Sequence, residues 1–226
     1  FDKFLLPRIS TDRGRRRLSA DEAALRVRRL NIVAHCHGAY TALRLEEMMQ
    51  EKMKELGYTP AERRQVQKQL LIMAQSPYCP LGQSQSTFVS FASVLDDEVS
   101  HYNNFEAAIR KINARREIPP CYFPGRQGSL FLVGSMGKDM DQHNFWGFHP
   151  SPEMSREGQA LATLAAKVLI NGVMTASEPI PSIENLAADT AESRRLFRVM
   201  ETNGREIYRQ ITAESVALHC RKNEER

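Results

Sequence analysis

Long hydrophobic runs are missing from this sequence of 226 residues. The longest apolar stretch, near residues 160–170, is interrupted by Thr163 and Lys167, and no run approaches the ~20 residues that a membrane-spanning helix needs. The first residues, Phe1-Asp2-Lys3-Phe4, also lack the layout of a secretory signal peptide. We therefore expect a soluble chain with no transmembrane segment, and the hydrophobic content of 42% is sufficient for a packed core.

Cysteine is scarce, and the four residues Cys36, Cys79, Cys121 and Cys220 are too widely spaced to form a Cys-x-x-Cys pair. This spacing argues against a zinc framework and against a dense disulfide scaffold. The sequence leaves open whether these cysteines are free thiols or form disulfides. A free reactive thiol would favour a reducing compartment such as the cytoplasm.

A strong charge of one sign is also absent, because the net charge is only +4. The positive residues are nevertheless crowded near the N-terminus, at Arg13, Arg15, Arg16, Arg17, Arg26, Arg28 and Arg29. Aromatic residues suited to base stacking are not interleaved with them, so we expect no nucleic acid partner. The pattern predicts a solvated basic N-terminal segment over residues 1–18, with docking to an anionic surface or a protein partner as the alternative.

Short apolar runs alternate with helical patterns along the rest of the chain. The apolar runs predict strands at residues 30–34, 70–74, 87–95 and 130–133. Capping and periodicity predict helices at residues 19–29, 38–56, from 59 onward, 104–116, 155–171 (stopped by Gly172) and 191–221 (broken near Asn203-Gly204). Loops are predicted at residues 76–86 and 136–152, and a linker at residues 180–189.

This alternation predicts an α/β fold in which a mostly parallel sheet of about four or more strands carries helices on both faces. We expect one such domain over residues 19–175 and a C-terminal helical segment over residues 176–226 that packs on it. The segments 76–86 and 119–128 are candidate walls of a substrate cleft, with Tyr78, Tyr122, Phe123 and Phe145 as wall or core residues.

The most informative motif is the junction between the first strand and the helix that follows it. Here Ala34-His35-Cys36-His37-Gly38 has the small-x-nucleophile-x-small layout of a nucleophile elbow. Such a turn brings backbone close to backbone and lifts the central side chain above the sheet edge. The Cys36 sulfur would then lie at a helix N-terminus, where the macrodipole favours the thiolate. The alternative is that Cys36 is a small buried hydrophobic residue.

Candidate functional residues also follow two other predicted strands. In open α/β sheets the functional residues lie at the carboxyl ends of the strands. Asp96 and Asp97 come directly after the third strand, and His143 follows the fourth. Neighbouring side chains at a strand end point in opposite directions, so only one aspartate is expected to face the site, with Asp96 preferred. The alternatives are His101 and His149 for the histidine, and Asp139 and Asp141 for the acid.

In this order of nucleophile, acid and histidine the chain resembles the C-terminal half of the α/β-hydrolase superfamily. The matching pieces are Asn31-Ile-Val-Ala-His-Cys-His-Gly-Ala, the strand Leu70-Leu-Ile-Met-Ala, the ending Val94-Leu-Asp-Asp, and Leu130-Phe-Leu-Val followed by His143. Serine is usual at the elbow in this superfamily, and cysteine versions occur in dienelactone hydrolases and polyhydroxyalkanoate synthases.

The resemblance implies a triad of Cys36, His143 and Asp96, with Asp97 and His101 as alternative members. The thiolate of Cys36 would attack a carbonyl carbon, His143 would move the proton, and Asp96 would orient the imidazole. The backbone N–H of His37, the residue after the nucleophile, would donate a hydrogen bond to the oxyanion.

The histidines on either side of Cys36 also suggest a metal site, but three or four convergent ligands are needed and no second cluster is evident. We therefore expect neither a metal nor a cofactor. Instead, we expect one of these histidines to lie beside the thiol and to favour the thiolate.

The predicted function is a cysteine-dependent hydrolase or acyltransferase acting on an ester, thioester or amide. Its substrate would be a small acyl compound or a peptide, so thioesterase and thiol protease chemistry both fit. The alternative is a non-catalytic module on a degenerate hydrolase-like fold that binds a protein partner, such as a bacterial effector.

Overall fold

The computed structural model describes residues 1–78, 84–96, 104–125, 129–143, 152–174, 179 and 182–224. Within these ranges none of the helices has an apolar stretch that would reach across a bilayer. The helices are α1 (Leu6–Ile9), α2 (Ala20–Arg28), α3 (Gly38–Glu55), α4 (Pro60–Gln67), α5 (Asn104–Arg115), α6 (Arg156–Met174), α7 (Ile183–Ala187) and α8 (Ala191–Glu224), with a 3-10 turn at Asp12–Gly14. The strands are β1 (Ser10–Thr11), β2 (Arg16–Arg17), β3 (Asn31–His35), β4 (Leu71–Gln75), β5 (Thr87–Ser93), β6 (Cys121–Phe123) and β7 (Ser129–Val133).

A five-stranded sheet in the order β3-β4-β5-β7-β6 forms the centre of the fold. The first four strands are parallel, and β6 runs antiparallel to β7 at one edge. The predicted α/β fold with a mostly parallel sheet is therefore confirmed. Because β3, β5 and β7 are parallel, the residues that follow them lie at the same end of the sheet.

Alternate residues of each central strand enter different hydrophobic clusters, as the two-residue period of a strand requires. Leu71 and Met73 of β4 pack with Leu161 and Val168 of α6 on one face. Ile72 and Ala74 belong to the cluster that contains Met49 of α3, on the other face. Both sides of β4 are thus buried, which explains why its sequence is uniformly apolar rather than alternating.

Beyond residue 18, two elements of the structure were not predicted. Strand β6 lies in the segment expected to form a cleft wall, and its Tyr122 is buried among aromatic rings of the core. Helix α7 lies within the predicted linker, and its Leu186 and Ala187 are fully buried. The linker prediction is therefore wrong: Ser182 caps this helix by accepting a hydrogen bond from the N–H of Asn185.

Two predicted helix breaks are also wrong. Helix α6 continues through Gly172 to Met174, and α8 continues through Gly204 to Glu224. At Gly204 the helix crosses β6 so closely that a Cβ atom would overlap the carbonyl oxygen of Tyr122. The side-chain amide of Asn203 donates a hydrogen bond of 2.8 Å to the carbonyl of Pro120 at the same crossing. These two residues thus mark a contact between helix and strand.

The N-terminal segment is basic, but it is packed against the domain and not wholly solvated as predicted. Leu5, Ile9 and Leu18 are buried in the cluster beneath α2, α3 and α4. The hydroxyl of Tyr58 lies 2.7 Å from the carbonyl oxygen of Ile9 and 2.9 Å from that of Leu18. The guanidinium of Arg17 lies 4.4 Å from the centroid of the Tyr58 ring. Buried apolar side chains therefore anchor the segment, and the arginine covers the aromatic ring.

A buried carboxylate on α3 anchors the residues that lead into β5. Glu46 is 3% exposed. Its carboxylate accepts hydrogen bonds from the amide of Gln67 at 2.6 Å, from the hydroxyl of Ser84 at 2.7 Å, and from the N–H of Gln85. Burial raises the pKa of the Glu46 carboxyl, and these hydrogen bonds oppose the rise.

Replacing Glu46 by glutamine should change the pH dependence of stability. Because the pKa of Glu46 is higher in the folded than in the unfolded chain, its contribution to stability is present below about pH 4.5 and is lost as the pH rises through the folded-state value. In Glu46→Gln that loss should be absent, since the amide cannot ionise. Urea unfolding from pH 4 to pH 7 measures the difference.

Glu47→Gln is the matched control, because Glu47 is exposed and pairs with Arg44 at 2.8 Å. An exposed pair of this kind contributes less than about 1 kcal/mol, so this variant should follow the unaltered chain at every pH. Parallel pH profiles for Glu46→Gln and the unaltered chain would contradict the expectation.

Candidate active site

The bend between β3 and α3 presents the side chain of Cys36. Its φ is +51°, in the left-handed region that a residue with a side chain rarely adopts. Its N–H donates to the carbonyl of Gln75 at 3.2 Å, and its carbonyl accepts from the N–H groups of Ala39 and Tyr78, each at 3.0 Å. Hydrogen bonds to three elements of the chain therefore hold a strained conformation, as is common at functional sites.

The small residues of the motif pack as a pair beneath this bend. Ala34 is buried, and a Cβ atom built on Gly38 would lie 3.8 Å from the Ala34 side chain, an ordinary van der Waals contact. The bend therefore requires a small residue at position 34 facing position 38. The sequence-based expectation of very close backbone contact at Gly38 is not met, because alanine would fit there.

The thiol of Cys36 is a free, partly exposed group. Its sulfur lies 3.3 Å from Nδ1 of His37. The imidazole of His37 stacks on the ring of Tyr78, with ring centroids 4.4 Å apart. Depending on its tautomer, Nδ1 either accepts the thiol proton or donates a hydrogen bond to the thiolate. The stacking on Tyr78 fixes the ring in a position where it can do either.

The backbone N–H of His37 lies at the first turn of α3 and has no hydrogen-bond acceptor among the described residues. Unsatisfied N–H groups at a helix N-terminus carry partial positive charge. A developing oxyanion on an acyl group attached to Cys36 would be stabilised by such a donor.

A buried acid and a histidine pair at the same end of the sheet. The Nδ1 atom of His143 lies 3.1 Å and 3.0 Å from the two carboxylate oxygens of Asp96. The side chain of Asp96 is fully buried and that of His143 is 11% exposed. The carboxylate thus accepts a hydrogen bond from Nδ1–H, and in this tautomer Nε2 carries the ring lone pair that can take up a proton.

A second histidine connects this pair to the bend. The Nε2 atom of His35, the residue before Cys36, lies 2.9 Å from the carbonyl oxygen of His143, so Nε2–H donates to it. The rings of His35 and His143 are 4.8 Å apart between centroids. The Asp96–His143 pair therefore lies beside the residue that precedes Cys36, at the same end of the sheet. Among the described residues, the ring that contacts the Cys36 sulfur is that of His37 and not that of His143.

The remaining candidates divide into two groups. Asp97, His101 and His149 lie outside the described residues. Asp139 and Asp141 are exposed, and Asp141 accepts a hydrogen bond from the backbone N–H of His143 at 2.9 Å instead of binding its ring. Asp141 therefore caps the turn that carries the histidine.

The structure also bears on metal binding and on the reactivity of the other cysteine that it describes, Cys121. In the described ranges no group of three or more His, Cys, Asp or Glu side chains could hold a metal ion. Cys121 is buried, and burial raises the pKa of its thiol to about 12. A thiol with so little thiolate is unreactive, which distinguishes Cys121 from Cys36.

The side chains of Gln142 and Ser93 hold the loop between β7 and His143 (residues 134–143, the histidine loop), and neither residue was predicted from the sequence. The carbonyl oxygen of the Gln142 side chain accepts a hydrogen bond from the Ser93 hydroxyl at 2.7 Å. A polar residue before a candidate histidine carries no sequence signal for this bond, because its partner is 49 residues away.

A scan against models of known protein families finds no match to the chain, and a search of curated proteins finds none either. The fold therefore defines the class only as an α/β protein with a mostly parallel sheet, and a functional assignment has to rest on the site itself.

Proposed function

We propose that this chain is a cysteine-dependent hydrolase or acyltransferase of the α/β-hydrolase type. It acts through an acyl-enzyme on an ester, thioester or amide, with Cys36 as nucleophile, His143 as general base and acid, and Asp96 as the residue that orients the imidazole. The observation that carries the proposal is the left-handed bend at Cys36 beside the buried Asp96–His143 pair.

The reaction follows from the roles of these groups. The thiol proton passes to an imidazole nitrogen as the sulfur attacks the carbonyl carbon, and the electron pair of the carbonyl moves to oxygen. The N–H of His37 donates to that oxyanion. When the carbonyl re-forms, the alkoxide, thiolate or amine leaves with the proton from the imidazolium, and the acyl group stays on Cys36 as a thioester.

The second half of the reaction regenerates the thiol. His143 removes a proton from water, and the hydroxide attacks the thioester carbonyl. Sulfur leaves as the thiolate, the carboxylic acid is released, and the proton that His143 took from water returns to the sulfur. In the acyltransferase variant an alcohol or amine replaces water, and the same proton transfers apply. Cysteine suits both variants, because a thiolate is a strong nucleophile and a good leaving group.

His37 supports the same proposal with a second role. Its Nδ1 atom lies 3.3 Å from the sulfur, so an imidazolium at this position would stabilise the thiolate before substrate arrives. His143, whose Nδ1 is bound to Asp96, remains the group that takes up the thiol proton and delivers it to the leaving group. His37 thus stabilises the charged sulfur without taking part in the proton transfers to the substrate.

Thiol labelling is the first test. Iodoacetamide should alkylate Cys36 faster than it alkylates glutathione at the same pH, because the helix N-terminus and His37 favour the thiolate. Peptide mass mapping separates Cys36 from the other cysteines. Incubation with p-nitrophenyl butyrate should also add one butyryl group to the Cys36 peptide.

The controls use the two histidines and the buried cysteine. His37→Ala should slow the labelling of Cys36, His143→Ala should slow release of the butyryl group, and Cys121 should remain unlabelled in the folded chain. A labelling rate equal to that of glutathione, unchanged in both histidine variants and without butyryl transfer, would favour the non-catalytic interaction module.

A further inference from the structure

The side-chain amide of Gln142, the residue before His143, uses every hydrogen bond that it can make. Its oxygen accepts from the hydroxyl of Ser93 at 2.7 Å and from the N–H of Met136 at 2.9 Å. Its nitrogen donates to the carbonyl of Gly137 at 2.9 Å and to that of Met140 at 3.0 Å. An amide has two acceptor sites and two N–H donors, so all four are occupied.

These four bonds join the ends of two strands to the histidine loop. Ser93 is the last residue of β5 and is 2% exposed. Met136 follows β7 and is fully buried, and Met140 lies two residues before Gln142. Asp96 follows β5 and His143 follows the β7 loop, so Gln142 connects the two segments that carry the acid and the base.

We propose that Gln142 is the positioning residue of this site: its amide sets the distance between the imidazole of His143 and the carboxylate of Asp96. The catalytic consequence rests on the proposed function, whereas the placement of the ring does not. Gln142 itself faces the loop backbone and Ser93, so it acts through His143.

The geometry explains why one amide can have this effect. His143 is also held by its N–H to Asp141 and by its carbonyl to His35, each at 2.9 Å, but both bonds concern its own backbone. Three of the four bonds of Gln142 hold the loop to itself, and the fourth, from Ser93, holds the loop relative to β5 and therefore relative to Asp96. Without them the carbonyl of Met140 loses this donor, and that of Gly137 keeps only the longer bonds from the Ser135 hydroxyl at 3.3 Å and the N–H of Met140 at 3.4 Å. The loop can then shift, and the 3.0 Å distance between Nδ1 and the carboxylate changes with it.

The test compares Gln142→Met with Gln159→Met. Methionine has a volume similar to that of glutamine and makes none of its four bonds. Gln159 on α6 donates a single bond, at 3.2 Å, to the carbonyl of Met154, and it serves as the matched control. In ¹⁵N-histidine-labelled protein, the His143 Nδ1–H proton bound to Asp96 should give an exchange-protected resonance, assigned by its loss in His143→Ala.

We expect Gln142→Met to broaden or remove this resonance and Gln159→Met to leave it unchanged. With p-nitrophenyl butyrate, Gln142→Met should lower kcat about 100-fold, with KM close to that of the unaltered chain, because a small misplacement of a catalytic group costs about that much. An unchanged resonance in folded Gln142→Met would overturn the positioning role.

Ser93→Ala provides a second variant should Gln142→Met fail to fold, because it removes the 2.7 Å bond to Gln142 and leaves the other three bonds of that amide in place. It also removes two longer bonds of the same hydroxyl, to the carbonyl of Gly134 at 3.4 Å and from the N–H of Leu95 at 3.2 Å. Its control is Ser90→Ala on the same strand, since the buried hydroxyl of Ser90 has no hydrogen-bond partner among the described residues. Ser93→Ala should weaken the His143 resonance and Ser90→Ala should not; equal behaviour of the two would overturn the proposal. If the unaltered chain neither hydrolyses the ester nor labels faster than glutathione, the proposed function fails, while the resonance still decides the role of Gln142.

Discussion

Replacing Asp96 by asparagine should lower kcat for p-nitrophenyl butyrate about 10⁴-fold while the chain stays folded. The carboxylate lies 3.0 Å from Nδ1 of His143, and an amide there can donate to Nδ1 and stabilise the wrong tautomer. Nε2 would then carry the proton and could not accept another. Steady-state kinetics measures the effect, and circular dichroism with urea unfolding checks that folding is retained.

Asp139→Asn and Asp141→Asn are the matched controls, because both aspartates are exposed and lie in the loop that carries His143. In Asp141→Asn the side-chain amide oxygen would still accept the bond from the N–H of His143, so the turn should survive. We expect kcat near that of the unaltered chain in both. If either variant lost as much activity as Asp96→Asn, the orienting role would pass to that residue and the triad would need reassignment.

Replacing Gly204 by alanine should destabilise the chain by about 3 kcal/mol, at the upper end of the cost of overpacking. The added Cβ atom would overlap the carbonyl oxygen of Tyr122, which belongs to a strand and cannot turn away as a flexible side chain would. Helix α8 would then have to move off β6 and stretch the bond between Asn203 and Pro120. The midpoint of urea unfolding at constant slope measures the change.

Gly38→Ala is the control for this prediction, because Gly38 is also helical and an added Cβ atom would lie 3.8 Å from Ala34. Its stability should be unchanged or rise by up to about 1 kcal/mol, the difference in helix propensity. Equal losses in the two variants would contradict a specific role of the contact between Gly204 and Tyr122.

The strands of the parallel sheet could be predicted because their signals are local. Short, mainly apolar runs predicted β3, β4, β5 and β7 to within one or two residues. The signal is clearest in β4, where burial on both faces leaves an uninterrupted apolar sequence up to Gln75. Capping residues predicted helix starts equally well: Thr59 and Glu62 make both bonds of a capping box at α4.

Glycine was the least reliable local signal. Gly172 and Gly204 were interpreted as helix ends, but a glycine that lets a helix approach a strand looks the same in sequence as one that ends a helix. Gly172 faces Leu71 of β4 and Gly204 faces Tyr122 of β6, so both lie where helices pack on the sheet. Only the packing of distant elements distinguishes the two cases.

The sequence by itself determined the bend, because a strand, Ala34, Cys36, Gly38 and a helix follow one another within a few residues and depend on short-range sterics. The tertiary structure decided which distant groups come together at the same end of the sheet. The bond between His143 and Asp96 spans 47 residues and that between Gln142 and Ser93 spans 49. Such partners are selected by strand order, since β5 and β7 are neighbours in the sheet while the chain between them leaves it.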